Sequence, residues 1–150
     1  MTKDEITRCV AEDGVEFISM QFTDIVGLVK SVTIPVQELD AALDRGIWFD
    51  GSSVEGFARI AESDMYLVPD LDTFAVIPWE QDSGPSARFI CDVYTPSGQP
   101  FQGDPRYVLK RAMREAAAMG LVYQTGPEPE FFLFRRDGDG HALPRPCLLY

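Results

Sequence analysis

The sequence predicts an α+β fold, and three observations carry that reading. Apolar residues alternate through 15–22, with Ile18, Met20 and Phe22 on one side and Ser19 and Gln21 on the other, which is the period of a half-buried strand. Further short apolar runs at 28–34, 65–68, 74–78 and 87–94 are divided by turns bearing glycine and proline. Helix punctuation stands between and after them: Gly14 closes 4–13, Pro35 and Gly46 bracket 36–45, and Asp104-Pro105 opens a segment that Gly120 closes. Helix, hairpin, helix and then more strands is an α+β order.

The elements follow in turn. Residues 4–13 read as a short helix. The strands 15–22 and 28–34 are joined by Thr23-Asp24-Ile25-Val26-Gly27, a run of turn formers, and predict a β-hairpin. The second helix presents Leu39, Ala42 and Leu43 on one face. Ile47-Trp48-Phe49-Asp50-Gly51-Ser52-Ser53 then reads as a change from periodic structure to a loop. After the strand at 87–94, Thr95-Pro96-Ser97-Gly98-Gln99-Pro100 has no periodicity and reads as a linker. Asp104 is placed as the N-cap and Pro105 as the first residue of a third helix, with Val108, Leu109, Ala112, Met113 and Ala116 as its apolar stripe. Residues 121–125 and 130–135 read as strands, and 137–150 holds no clear element. The division is therefore 1–100 and 101–150. One helix and two strands cannot bury a core of their own, so the second part either packs on the first or begins a domain whose remainder lies outside the chain.

Composition narrows the function. At 150 residues, with 45% hydrophobic and 25% charged residues, the chain is ordinary globular material. Its net charge of −11 and the lack of any Lys/Arg cluster speak against a nucleic-acid partner. No apolar run approaches the roughly 20 residues of a membrane span, and no signal-peptide core follows Met1. Cys9, Cys91 and Cys147 show no metal-ligand spacing and read as free thiols in a reducing, cytoplasmic setting.

Two acidic motifs carry the chemistry. In Gly126-Pro127-Glu128-Pro129-Glu130, the glutamates are one residue apart and share a face of an extended chain, their Cα atoms about 6 to 7 Å apart at ~3.3 Å per residue. Carboxylates that close repel unless a cation intervenes. The apolar run 131–134 that follows predicts an interior strand, which needs metal ions or basic side chains to compensate the two acids. Oxygen donors favour Mg²⁺ or Mn²⁺ over Zn²⁺. The plain alternative is an exposed acidic turn. The other motif is Asp50-Gly51-Ser52-Ser53, anchored by Trp48 and Phe49; it reads either as a surface turn or as a general base with two serine contacts. His141 stands in no motif and reads as a loop residue.

Together these runs resemble a known family. Phe49-Asp50-Gly51-Ser52-Ser53, then eight residues, then Glu62-Ser63-Asp64-Met65-Tyr66-Leu67, is similar to the amino-terminal signature of bacterial-type glutamine synthetases. Glu128-Pro129-Glu130-Phe131-Phe132-Leu133-Phe134 resembles that family's first metal-ligand strand, and Arg88 to Val93 and Gly103-Asp104-Pro105-Arg106 match as well. The likeness covers about residues 5 to 136.

The resemblance implies a β-grasp-like amino-terminal domain over 1–100, then the beginning of an α+β catalytic domain. It implies an ATP-dependent ligase of nitrogen metabolism that joins ammonium to the γ-carboxylate of glutamate through γ-glutamyl phosphate. Position by position, Glu130 would bind the metal that organises glutamate and Glu128 the metal at the ATP phosphates. Asp50 would take a proton from ammonium, with Ser53 beside it. Arg59 resembles a residue that some feedback-regulated members use in inhibition by glutamine. The family assembles as a two-ring dodecamer whose active sites are shared between subunits. Its members are much longer, and the remaining ligands, a histidine among them, lie downstream of this segment. The chain alone is therefore expected to be inactive. Two other readings stand beside it: a superfamily ligase that takes a polyamine or another amine, and a non-catalytic binding or assembly module. The Asp-Gly-Ser-Ser loop favours ammonia, because a base close to the nucleophile leaves little room.

Overall fold

The structure is a computed structural model and describes residues 1–54, 64–79 and 84–146, with the backbone alone for Ser53 and 142–146. Helix α1 (Lys3–Glu12) opens with a capping box that sequence reading overlooked. The Thr2 hydroxyl accepts from the Glu5 N–H at 3.2 Å, and the Glu5 carboxylate accepts from the Thr2 N–H at 2.7 Å. Ile6 and Val10, one turn apart, go into the core.

Strands β1 (Phe17–Thr23) and β2 (Val29–Pro35) form the expected antiparallel hairpin. Ile18, Met20 and Phe22 are buried, as their alternation requires. The turn is organised by Asp24, whose Oδ1 accepts from the N–H groups of Val26 at 3.1 Å and Leu28 at 2.8 Å. A short 3-10 turn (Val36–Glu38) leads into α2 (Leu39–Arg45), which buries Leu39 and Ala42.

Gly46 ends α2 with φ +70°, in the left-handed region. A Cβ built there would lie 2.5 Å from the Leu67 carbonyl oxygen, so backbone meets backbone. We expect Gly46→Ala to destabilise the chain by about 2 kcal/mol, from an unfavourable φ plus the clash. Denaturant unfolding measures this, and an unchanged midpoint would show that the corner relaxes freely.

The residues after Gly46 correct the loop expected at 47–53. Ile47–Asp50 is a strand, β3, paired antiparallel with β4 (Asp64–Pro69). Four residues are too few to display a period, and the adjacent bulk of Trp48 and Phe49 masks the alternation. Only the partner strand reveals it. A 3-10 turn (Leu71–Thr73), β5 (Ala75–Ile77) and β6 (Ser86–Tyr94) complete the main sheet. Its order is β2-β1-β6-β4-β3, with β5 also on β6. The two central strands, β1 and β6, run parallel, and every other pairing is antiparallel.

One face of this sheet packs with α1 and α2 around Met20, Met65, Leu67, Phe89 and Val93. Cys91 belongs to the same core, and burial pushes its thiol up to about 12, so it behaves as an inert hydrophobe. Cys9 and Cys91 are free, and Cys147 lies outside the described residues. Among the described residues no helix is long and apolar enough to cross a membrane.

The segment expected as a linker is a tight turn. The Gly98 N–H donates to the Thr95 carbonyl and the Thr95 N–H to the Gln99 carbonyl, both at 2.9 Å. Phe101 then donates to the Val93 carbonyl at 2.8 Å and joins the core. Helix α3 (Pro105–Ala118) starts at the predicted Asp104 cap. Polar contacts fasten it. The Arg106 guanidinium reaches Asp92 at 2.7 Å and Asp70 at 2.6 Å, and Lys110 reaches Asp92 at 2.6 Å. The predicted apolar stripe forms, yet the helix buries no residue, and Val108, Leu109 and Met113 stand exposed.

Beyond α3 the expectations for strands need correction. No strand forms at 121–125. Of 130–135 only the end is paired, in β7 (Phe134–Arg136), whose partner β8 (Ala142–Pro146) falls where no element was expected. The run read as interior is exposed, Phe131 by 74% and Phe132 by 81%. A strand is interior only when a sheet receives it, and here the ladder has two members.

Candidate functional site

The corner at Gly46 aims β3 so that its last residue, Asp50, leaves the sheet at an edge. Asp50 stands opposite Asp64 at the start of β4. Two acids in register repel, and local structure turns Asp50 aside. Its Oδ1 accepts from the Ser52 N–H at 2.8 Å and caps a 3-10 turn, Gly51–Ser53. Val54 closes the turn by donating to the Gly51 carbonyl at 3.1 Å and is itself buried.

Aromatic rings brace both sides of β3. Phe49 meets Phe22 of β1 with centroids 4.9 Å apart, and Trp48 meets Tyr66 of β4 at 5.2 Å. Because β1 and β3 are not adjacent in the sheet, the first contact shows that the sheet curls until its ends approach. An open pocket of about 270 Å³ lies in that curl. Phe22, Val32, Phe49 and Val54 supply apolar lining, and Lys30 and Asp50 opposite charges. The hairpin's part in this pocket was not foreseen. In the sequence Asp24 reads as a turn former and Lys30 as part of the strand 28–34, and nothing local to either marks it.

The other predicted residues lie elsewhere. The Ser53 backbone follows Asp50 through the 3-10 turn. Arg59 lies outside the described residues. Glu128 and Glu130 are exposed, in a stretch that is neither helix nor strand. Among the described residues, neither glutamate belongs to a group of three close potential metal ligands; the group found is Asp137, Asp139 and His141, all exposed. There the Asp137 Oδ1 accepts from the N–H groups of Asp139 at 3.0 Å and His141 at 2.8 Å, so that carboxylate builds a turn. The chain thus brings Asp50 and Ser53 together and supplies Glu128 and Glu130 as two separate oxygen donors. Mg²⁺ holds six oxygens and usually keeps several waters. A carboxylate pair fits such an ion in chemistry and covers part of its donor set.

The family model described as "Glutamine synthetase, beta-Grasp domain" matches residues 14–96, which hold the curled sheet and Asp50. The chain belongs to the glutamine synthetase family. A second model, the glutamine synthetase catalytic domain, matches residues 102–147 and includes both glutamates. It continues past the point, about residue 136, where the motif likeness ends.

Curated relatives agree. The glutamine synthetase of Clostridium saccharobutylicum is 54% identical over 141 residues, covering 94% of this chain and 32% of the relative. That of Staphylococcus aureus strain MW2 is 52% identical over 140 residues, covering 93% and 31%. The chain therefore spans about a third of the length of these relatives.

Solved structures show the same fold. A glutamine synthetase from Plasmodium falciparum superposes with a TM-score of 0.70 at 22% identity, over 80% of this chain and 23% of that one. A GmaS/ADP complex gives 0.67 at 25% identity, over 76% and 26%. The β-grasp-like, α+β class read from the motifs is the fold of this glutamine synthetase family member.

Proposed function

We propose that the chain carries the amino-terminal part of an ATP-dependent glutamate–ammonia ligase and contributes to two active sites while completing neither. One observation supports this above the others. The two glutamine synthetase domain models match in order along one chain, with Asp50 inside the first and Glu128 and Glu130 inside the second. On this reading residues 1–100 form the β-grasp-like domain and 101–150 begin the catalytic one.

In the reaction, the glutamate γ-carboxylate oxygen takes the γ-phosphoryl group of ATP, and ADP leaves. Asp50 removes a proton from ammonium, its carboxylate serving as a base at neutral pH. The ammonia so formed attacks the γ-glutamyl carbon and phosphate departs. Ser53 would lie beside the base. Glu130 would hold the metal near the glutamate carboxylate and Glu128 the metal near the ATP phosphates. Mg²⁺ or Mn²⁺ there supplies neutralisation of the charge on the transferring phosphoryl group.

Asp50 sits at an exposed corner, and the two glutamates are exposed in another part of the chain. That arrangement suits a homo-oligomer, a dodecamer in this reading, in which the Asp50 loop of one copy completes the site of its neighbour. Arg59 would act in regulation by glutamine, and the setting is cytoplasmic.

The test is direct. The 150-residue chain, supplied with glutamate, ammonium, ATP and Mg²⁺, is expected to release no glutamate-dependent phosphate above background. Clear turnover would overturn the reading of incomplete sites. The coding sequence beyond codon 150 should continue into further carboxylate and histidine ligands. A stop codon there would instead favour the non-catalytic assembly module.

A further inference from the structure

The pocket beside Asp50 has a charged wall that the ligase reaction, as set out above, does not use. Lys30 of β2 lines it together with Phe49 and Asp50. Its Nζ lies 3.6 Å from Oδ2 of Asp24. Asp24 is 1% exposed, and its Oδ2 accepts no hydrogen bond. A buried carboxylate oxygen without a hydrogen bond keeps its charge at a cost unless a cation stands near. Oδ1 is already committed to the Val26 and Leu28 N–H groups, so Oδ2 is fixed in direction by the turn itself. The hairpin thus builds a seat for one ammonium group. A surface lysine without such a seat spreads over many rotamers, and its charge has no fixed place.

We propose that Lys30, seated by Asp24, is a positioning residue for Asp50. It sets a fixed positive charge in the wall of the pocket and keeps the Asp50 carboxylate ionised when the loop is closed off from water. The proposal rests on the reading of Asp50 as the base. A carboxylate that loses water takes up a proton more readily, and a cation across a small pocket opposes this. Lys30 is the one cation among the described lining residues. Asp64, the register partner of Asp50, acts in the opposite sense, and Asp24 offsets part of the lysine's charge.

The experiment is a carbon-detected NMR titration of the Asp50 side-chain carboxyl in the 150-residue chain, in wild type, Lys30→Met and Lys30→Arg. Lys30→Met is expected to raise the midpoint by about half a unit, the size of one charge acting across several ångströms of largely aqueous medium. Lys30→Arg keeps the charge and is expected to stay near wild type. An unmoved midpoint in Lys30→Met, or equal movement in both variants, overturns the proposal. The Val26 and Leu28 amide shifts report whether the hairpin survives, and Lys30→Gln replaces the methionine variant if they move. In the complete ligase, the acid limb of ammonium-dependent turnover should rise with the same midpoint, and a stationary limb counts against the role. If Asp50→Ala leaves that turnover intact, the base reading fails, while the titration still decides whether Lys30 governs Asp50.

Discussion

Replacing Asp50 by alanine in the complete ligase is expected to lower ammonia-dependent turnover by about 10²- to 10⁴-fold, the range a general base contributes, and to leave ATP binding almost unchanged. Asp50 sits exposed at a strand end, where its Oδ1 accepts from the Ser52 N–H. Losing that cap costs about 1 kcal/mol and acts within one turn. Asp50→Asn separates the two roles, because an amide oxygen still caps Ser52 but cannot take a proton. Turnover of Asp50→Asn should therefore fall about as far as that of Asp50→Ala, with the loop intact. Steady-state rates at saturating ammonium, set beside nucleotide binding by calorimetry, check this. Equal loss of ATP binding and turnover would remove Asp50 from its role as base.

Asp104→Ala should destabilise the chain by about 3 kcal/mol, the largest single effect expected on the fold. Asp104 is fully buried, and each of its oxygens has a separate duty. Oδ1 caps α3 by accepting from the Arg106 N–H at 2.9 Å. Oδ2 accepts from the Val93 N–H at 3.2 Å and so joins the helix start to the central strand. Alanine forfeits a cap, about 1 kcal/mol, and leaves a buried N–H unpaired, another ~1–3 kcal/mol. It also loosens the geometry that lets Arg106 bridge Asp92 and Asp70. Asparagine should cost less, since one oxygen remains, but it can serve only one of the two N–H groups. Urea unfolding measures both variants, and a cost under about 1 kcal/mol for alanine would show that α3 is held by other means.

The pH dependence has a definite sign. Burial pushes the Asp104 carboxyl above its ordinary value of 3.8, against the lowering effect of the bonds from Val93 and Arg106. A folded value above the unfolded one means that the folded chain binds the proton more tightly. The contribution of Asp104 is then greatest below the unfolded value and declines as pH rises through the folded value. The gap between wild type and Asp104→Asn should accordingly be wider near about pH 3 than near about pH 7. Asp70 behaves in the opposite way. The hydrogen bond from Arg106 holds its carboxyl below the ordinary value, and its stabilising effect is lost as acid protonates it. Comparing the aspartate and asparagine chains at each pH isolates Asp104 from Asp70.

Much of the fold was legible because its signals are local. Ile18, Met20 and Phe22 alternate over enough residues to show a strand, and Thr23 to Gly27 show its turn. Gly46 and the Asp104-Pro105 pair mark helix ends by the backbone conformations they alone adopt readily. β3 was missed because four residues display no period and its identity as a strand lies in the bonds to β4. The run 131–134 was read as interior from its apolarity, but burial is a property of the surroundings, and here Phe131 and Phe132 face solvent. The same limit applies to α3. Its stripe is periodic, but its attachment comes from Arg106 and Lys110 meeting acids 14 to 36 residues away in the chain.

By itself the sequence determined the family and the α+β class, and it singled out Asp50, Glu128 and Glu130 as the residues proposed for the site, because motif order and backbone preferences are written in adjacent residues. Tertiary structure alone decided which groups share space. Phe22 meets Phe49, and Lys30 comes to the Asp50 pocket, because a twisted sheet curls its ends together. Asp104 becomes a latch because β6 offers it an unpaired N–H at the point where α3 begins. Pairing and proximity of this kind depend on long-range closure of the chain, and no local pattern of residues encodes that.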